Sequence, residues 1–290
     1  MNNENLPVSY LFVPADQPKY IDKAVSKGAG VVILDLEDSV PAANKPAARE
    51  LLKSQLSKLS DKGQTVAVRV NAELINLYED ILAIDLSKVS YILLPKAEEG
   101  AVVQWICEFI ETLEQHQGCQ LGKVKLIPMV ESCLGLNNLR QISKASERVC
   151  AIALGSEDFA NELGVQPTRE SLQGICQQMI LATTEAKIAA LGFPGSIANI
   201  NDITKLNSDL TLAKSMGFAG ALCIHPKQVD EANKVFSYSE EQLIWASQVL
   251  EAMEKAEQEG LGVIKLNGKM IDAPVVSLAR KILNRTNNAN

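Results

Sequence analysis

The stretch Lys125–Asp158, KLIPMVESCLGLNNLRQISKASERVCAIALGSED, contains two short apolar runs, Lys125–Val130 and Val149–Leu154. Each run leads into an acidic residue, Glu131 after the first and Asp158 after the second, and a helical pattern lies between them. The order is therefore strand, carboxylate, helix, strand, carboxylate. In a parallel barrel both acids emerge at the C-terminal rim, where such enzymes keep their chemistry. Two hard oxygen ligands beside open positions fit a magnesium site completed by water and substrate. They fit equally well two solvated loop acids, or N-cap and first-turn acids of the following helices.

The same alternation extends in both directions. Ser9–Val13, Val31–Leu36, Thr65–Val70 and Tyr91–Leu94 precede the stretch as apolar, β-branched runs, and Gly195–Ala198 and Ala221–Ile224 follow it. Helical spacing fills the intervals, among them Ala47–Leu59, Tyr78–Leu86, Val102–Glu114 and a long Arg169–Leu191 closed by Gly192. Continuous Val/Ile/Leu runs mark strands buried on both faces of a parallel sheet. Alternation of strand and helix gives an α/β class, and eight runs favour a (β/α)8 barrel over an open doubly wound sheet. The barrel is expected over residues 1–235. A C-terminal helical extension, 236–290, carries helices at Glu240–Gln258 and Val275–Asn284 and is free to cover a face or reach a neighbouring subunit.

Bulk properties remove several function classes. The net charge is −7 with no basic cluster, and aromatic residues make up 4%, so a nucleic-acid surface is not expected. Six cysteines are widely spaced without a C-x-x-C pair, as for reduced thiols rather than a disulfide or zinc framework. No run is long enough to span a membrane and the N-terminus lacks a signal-peptide pattern, so the expected location is cytoplasmic. G-x-G-x-x-G, P-loop, G-x-S-x-G and H-E-x-x-H motifs are absent.

Charged residues follow most of the strands. The second supplies Asp35, Glu37 and Asp38, the third Arg69, the fourth Lys96, the sixth Glu157 and Asp158, and the eighth His225. Arg69 suits a bidentate carboxylate clamp, or a salt bridge to Glu37 or Asp38. Lys96 suits Schiff-base chemistry, or donation to an acid or a substrate phosphate. His225 before Pro226 suits a base, but more naturally a structural hydrogen bond. Asp272 in MIDAP has the form of a helix N-cap.

Eight segments then occur in one order: SYLFVPADQPKYIDKA, VVILDLEDSVPAANKPAAR, VAVRVNA, LLPKAE, LIPMVES, IALGSEDFANELG, CIHPKQV and GKMIDAP. From about Ser9 to Asn284 the chain resembles the citrate lyase β-subunit-like branch of the HpcH/HpaI aldolase family. The resemblance implies a TIM barrel with a C-terminal extension, assembled as trimers or hexamers. It implies a Mg2+-dependent carbon–carbon lyase that cleaves a 3-hydroxyacyl-CoA thioester of malyl, citramalyl or citryl type to a 2-keto acid and an acyl-CoA. Glu131 and Asp158 are then the metal ligands, and Arg69, with Glu37, Asp38 and Lys96 around it, binds the substrate. Asp272 is a proton-transfer group reaching a neighbouring subunit's site. The same residues also suit the lyase subunit of a citrate lyase complex acting on a carrier-bound thioester, a malate-synthase or thioesterase activity, or a non-catalytic thioester-binding barrel. SIANINDI, beside the expected seventh strand, departs from the family's aromatic-rich form in a loop that helps line the pocket.

Overall fold

The computed structural model describes residues 6–258 and 260–287; the ends of the two expected ranges, 1–5 and 288–290, lie outside it. Eight strands form one sheet: β1 Ser9–Pro14, β2 Val31–Asp35, β3 Val66–Arg69, β4 Tyr91–Leu94, β5 Lys125–Val130, β6 Ala151–Leu154, β7 Ala189–Leu191 and β8 Ala221–Cys223. The order is β7-β6-β5-β4-β3-β2-β1-β8, and every pairing is parallel. The two ends meet. Leu191 and Gly220 form a parallel bridge, Gly192 N–H donates to Gly220 O at 2.9 Å, and Ala219 N–H donates to Ala190 O at 2.8 Å. The result is a TIM barrel with helices between its strands.

Side-chain parity sorts each strand into two rows. Val32 and Leu34, Val66 and Val68, Ile92 and Leu94, and Leu126 and Val130 belong to the large cluster between sheet and helices, with Leu52, Leu56, Ile106 and Ile110 among its helical members. The alternate residues, Ile33, Ala67, Leu93, Ile127 and Ala153, are fully buried and face inward. Tyr10 and Tyr91 meet edge-to-face inside, with ring centroids 6.3 Å apart.

The seventh strand differs from its expected place. The helix expected to run to Leu191 stops at Ala186, and β7 is Ala189–Leu191 rather than Gly195–Ala198. Ala189-Ala190-Leu191 has good helix propensity, but Lys187 takes a left-handed φ of 58° and ends the helix one turn earlier. The Ile188 N–H then donates back to Thr183 O at 2.9 Å, so the helix closes without the usual glycine. Residues 193–200 are left as a loop above the barrel mouth.

Pro7–Phe236 make up one compact unit, and the chain from Ser237 belongs to the other. In the second, helices Glu240–Gln258 and Ala273–Asn287 pack through Val249, Met253, Val276, Ala279 and Ile282. Between them a hairpin, β9 Ile264–Leu266 and β10 Lys269–Ile271, turns at Asn267-Gly268, whose φ values of 49° and 80° are those of a type I′ turn.

At the N-terminal end of the barrel, Glu114 is fully buried and accepts from Gly122 N–H at 2.7 Å, Val124 N–H at 2.8 Å and Arg148 Nη2 at 2.6 Å. Arg148 Nη1 also donates to Val124 O, so this pair ties the entries of β5 and β6 together. Glu114→Ala leaves the buried Arg148 cation with only the long 3.4 Å contact to the exposed Glu111, a loss of up to about 3 kcal/mol. Urea unfolding is expected to show that loss, with ligand affinity at the opposite rim unchanged below the transition.

Candidate active site

The inward row carries the polar groups as it reaches the C-terminal rim. Asp35 follows Ile33 by two residues, Arg69 follows Ala67, and Glu131 follows Met129. Asp35 and Arg69 are register partners on β2 and β3. Arg69 Nε and Nη2 each donate to one oxygen of Asp35 at 2.7 Å, a bidentate pair. Its Nη1 lies 3.0 Å from Glu37 Oε2 and 3.1 Å from Asp38 Oδ2. The ion pairs to Glu37 and Asp38 weighed from sequence are therefore present, and the strongest partner is Asp35. Burial pushes the Asp35 carboxyl up, but the Arg69 guanidinium brings it below the usual carboxylate range. Burial opposes the Arg69 cation, and Asp35 more than offsets it. The guanidinium also sits 4.8 Å from the centroid of the Phe12 ring.

Glu131 is the unbalanced group. It is 5% exposed, and its Oε2 accepts the Lys96 backbone N–H at 3.0 Å, whereas its Oε1 is buried with no hydrogen-bond partner. Lys96 aims that N–H from a left-handed φ of 50°, a conformation costing roughly 1–2 kcal/mol for a residue with a Cβ. The inward position on the adjacent strand is Gly155. A Cβ there would sit against Glu131 Cγ and 2.5 Å from Oε1. Glycine is thus what makes room for the carboxylate. Burial, with the Glu37 and Asp158 charges beside it, pushes the Glu131 carboxyl up to about 8.

Asp158 stands in the first turn of the helix Ser156–Glu162 and is exposed. A cavity of about 410 Å³ brings it together with Glu131, Arg69, Asp35 and Asp38. Among the described residues no group of three or more His, Cys, Asp or Glu side chains forms a metal cage. Glu131 and Asp158 match instead a hard cation held by two carboxylates, with water and substrate filling the other positions. The orphaned Oε1 and the raised Glu131 pKa are both relieved by a divalent cation at that point.

The remaining sequence candidates have definite places. Lys96 Nζ donates to Glu37 Oε1 at 3.0 Å, and that hydrogen bond raises its pKa against the opposing effect of burial. A lysine held cationic in this way is a poor Schiff-base nucleophile. His225 Nδ1 accepts from Lys227 N–H at 3.2 Å, a structural use. Asp272 caps the helix Ala273–Asn287 in the second unit, its Oδ1 accepting from Val275 N–H at 3.4 Å. Three supporting residues were not read as such from the sequence. Lys45 Nζ donates to Leu36 O and Glu37 O, both at 2.8 Å, and to Asn71 Oδ1 at 2.6 Å, which fixes the loop carrying Glu37 and Asp38. Gly155 shapes the metal side. Gln228, 2% exposed, ties two loops at the mouth.

A sequence profile described as HpcH/HpaI aldolase/citrate lyase matches residues 8–226. The chain belongs to that family. It is 33% identical to the citrate lyase subunit beta of Leuconostoc mesenteroides subsp. cremoris, over 99% of this chain and 95% of the relative. It is 32% identical to the (3S)-malyl-CoA thioesterase of Cereibacter sphaeroides, over 95% and 93% of the two chains. The structure of CitE from Mycobacterium tuberculosis in complex with magnesium, acetoacetate and coenzyme A superposes with a TM-score of 0.74 at 28% identity, covering 98% of this chain and 99% of that one. The chain is thus an enzyme of the CitE-like, CoA-ester lyase branch, and Mg2+ is the cation with which relatives of this fold have been solved.

Two outcomes follow for the site. The folded pKa of Glu131 lies above its unfolded value of about 4.3, so the folded state keeps a proton that the unfolded chain has shed. Stability of the metal-free protein then falls as pH rises through the window up to about 8. Mg2+ requires the ionised form, so melting with and without Mg2+ is expected to show a larger Tm increment at pH 8 than at pH 6; equal increments contradict the assignment. Gly155→Ala, with an unstrained φ of −89°, is expected to displace the Glu131 carboxylate and weaken Mg2+ binding about 10–100-fold by calorimetry.

Proposed function

We propose that the protein is a Mg2+-dependent carbon–carbon lyase that cleaves a 3-hydroxyacyl-CoA thioester to a 2-keto acid and an acyl-CoA. The observation that carries this reading is the buried, partnerless Glu131 Oε1 facing the same cavity as Asp158 and Arg69. Glu131 and Asp158 would hold the cation. When bound, Mg2+ supplies a Lewis acid that polarises the substrate hydroxyl and its neighbouring carboxylate. Lys96 N–H fixes the Glu131 rotamer, and Gly155 leaves the carboxylate its space. Asp38 is the exposed partner of Arg69 Nη1, so a substrate carboxylate can replace it there without disturbing the Asp35 pair.

The reaction balances within the substrate. The hydroxyl proton leaves, the carbinol oxygen becomes the keto oxygen, and the bond from the carbinol carbon to the thioester α-carbon breaks. The electron pair passes to the α-carbon as the acyl-CoA enolate, which takes up one proton. Asp272 of a neighbouring subunit is our candidate donor. That assignment makes the functional unit a homo-oligomer; the family resemblance suggests a trimer or hexamer, and the widely spaced cysteines suit the cytoplasm.

A second chamber of about 410 Å³ adjoins the acidic one and shares Phe12, Pro14 and Ile224 with it. Lys23, Lys27 and His225 line it. A chamber lined by apolar residues and by Lys23 and Lys27 suits the pantetheine and phosphate of a coenzyme A-type thioester. No described helix is long and apolar enough to cross a membrane.

Malyl-, citramalyl- and citryl-CoA, each assayed with Mg2+ and with chelator, test the reading. Cleavage is expected to require Mg2+ and to fall at least about 10³-fold in Glu131→Ala. Cleavage that persists without metal or in that variant contradicts the mechanism. Mixing the separately inactive Glu131→Ala and Asp272→Asn proteins is expected to restore activity, because mixed assemblies contain sites with both native residues. If mixing restores nothing, Asp272 is not shared between subunits.

A further inference from the structure

The cavity has two unlike walls. One carries five acids, Asp35, Asp38, Glu131, Glu157 and Asp158, and among the described lining residues one cation, Arg69. Every guanidinium nitrogen of Arg69 already faces a carboxylate. The other side is apolar, formed by Ile197, Leu222 and Ile224.

The apolar wall is built, not incidental. Ile197 and Ile224 come from separate loops, and the side-chain amide of buried Gln228 joins them. Its Nε2 donates to Ile197 O at 2.7 Å, and its Oε1 accepts Ile224 N–H at 2.8 Å and His225 N–H at 3.1 Å. Glu157 holds the same loop from the other side, accepting Ser196 Oγ at 2.6 Å and Ala198 N–H at 3.3 Å through Oε1. Ile197 is therefore pinned on both flanks and at its own carbonyl.

The thioester-lyase reading directs the substrate's hydroxyl and adjacent carboxylate to Glu131, Asp158 and Arg69, and its thioester arm to the lysine-lined chamber. The fourth substituent of the carbinol carbon is left facing Ile197, Leu222 and Ile224. A hydrogen or methyl group fits this surface. A second carboxylate there loses water without gaining a partner, and the anion of Glu157 lies beside it. We infer that the Ile197–Ile224 wall, positioned by Gln228 and Glu157, restricts the enzyme to thioesters whose keto-acid fragment has an uncharged substituent, and so excludes citryl-type substrates. The inference rests on the lyase reading and deepens it. It separates this protein in substrate from the citrate lyase subunits it resembles in sequence.

The Mg2+-loaded enzyme is assayed for kcat/KM on citramalyl-CoA and citryl-CoA, which differ by one carboxylate at this position. Calorimetry with pyruvate and freshly dissolved oxaloacetate gives a readout independent of turnover. The wild type is expected to prefer citramalyl-CoA and pyruvate by at least about tenfold. Ile197→Arg, on a half-buried loop that tolerates a longer side chain, is expected to reverse both ratios. Gln228→Leu, which frees both loops, is expected to bring the kcat/KM ratio toward one, a change that loss of stability alone does not produce. Wild-type citryl-CoA cleavage as fast as citramalyl-CoA cleavage overturns the inference and leaves the lyase reading intact. So do ratios unchanged in Ile197→Arg. Failure to cleave either thioester together with failure to bind either keto acid overturns both.

Discussion

One oxygen of a buried carboxylate, Glu131 Oε1, has no hydrogen-bond donor among the described residues, and the arrangement around it follows from that deficit. A buried anion left in this state is costly unless it is protonated or paired. The protein brings no basic side chain to it. Lys96 offers its backbone N–H to the other oxygen and sends its ammonium to Glu37. Asp158 and Glu37 add negative charge nearby, and Gly155 keeps the space against Oε1 clear. Repulsion of this kind is relieved either by a proton, which raises the Glu131 pKa, or by a bound cation.

Arg69 solves the opposite problem. Its cation is over-neutralised by Asp35, Glu37 and Asp38, and the bidentate Asp35 pair locks the guanidinium plane against the Phe12 ring. Such an arginine cannot swing out to meet a ligand. It presents Nη1 at a fixed place beside the exposed Asp38, where the proposed mechanism puts the substrate carboxylate. Beneath it, Lys45 fastens the Glu37–Asp38 loop through two carbonyls and Asn71. Orientation is thereby set by the rigid strand ends before substrate arrives.

The barrel was legible because each of its strands but one is a continuous β-branched or apolar run, and parity alone turns Asp35, Arg69 and Glu131 inward. The exception, β7, is three residues of Ala-Ala-Leu, whose helix propensity outweighs any strand pattern; only the left-handed Lys187, an atypical stop, separates it from the preceding helix. Among the site residues, sequence singled out the charged groups. It did not single out Gly155, whose role is to be absent from a volume, or Gln228, whose amide reaches a carbonyl 31 residues away. Neither role has a local pattern. Asp35 was visible as a strand-end acid, but its pairing with Arg69 depends on the β2–β3 register. The Asn267-Gly268 pair has the composition of a type I′ turn, yet the hairpin it closes was not read from the sequence either.

The central claim is that Glu131 and Asp158 together hold the catalytic cation. Anomalous diffraction from crystals soaked in Mn2+, a spectroscopically visible substitute for Mg2+, locates that cation directly. The account predicts one strong peak within about 2.0–2.3 Å of both Glu131 Oε1 and an Asp158 carboxylate oxygen. A peak elsewhere in the cavity, or Glu131 Oε1 turned onto a protein donor with no peak beside it, contradicts the account.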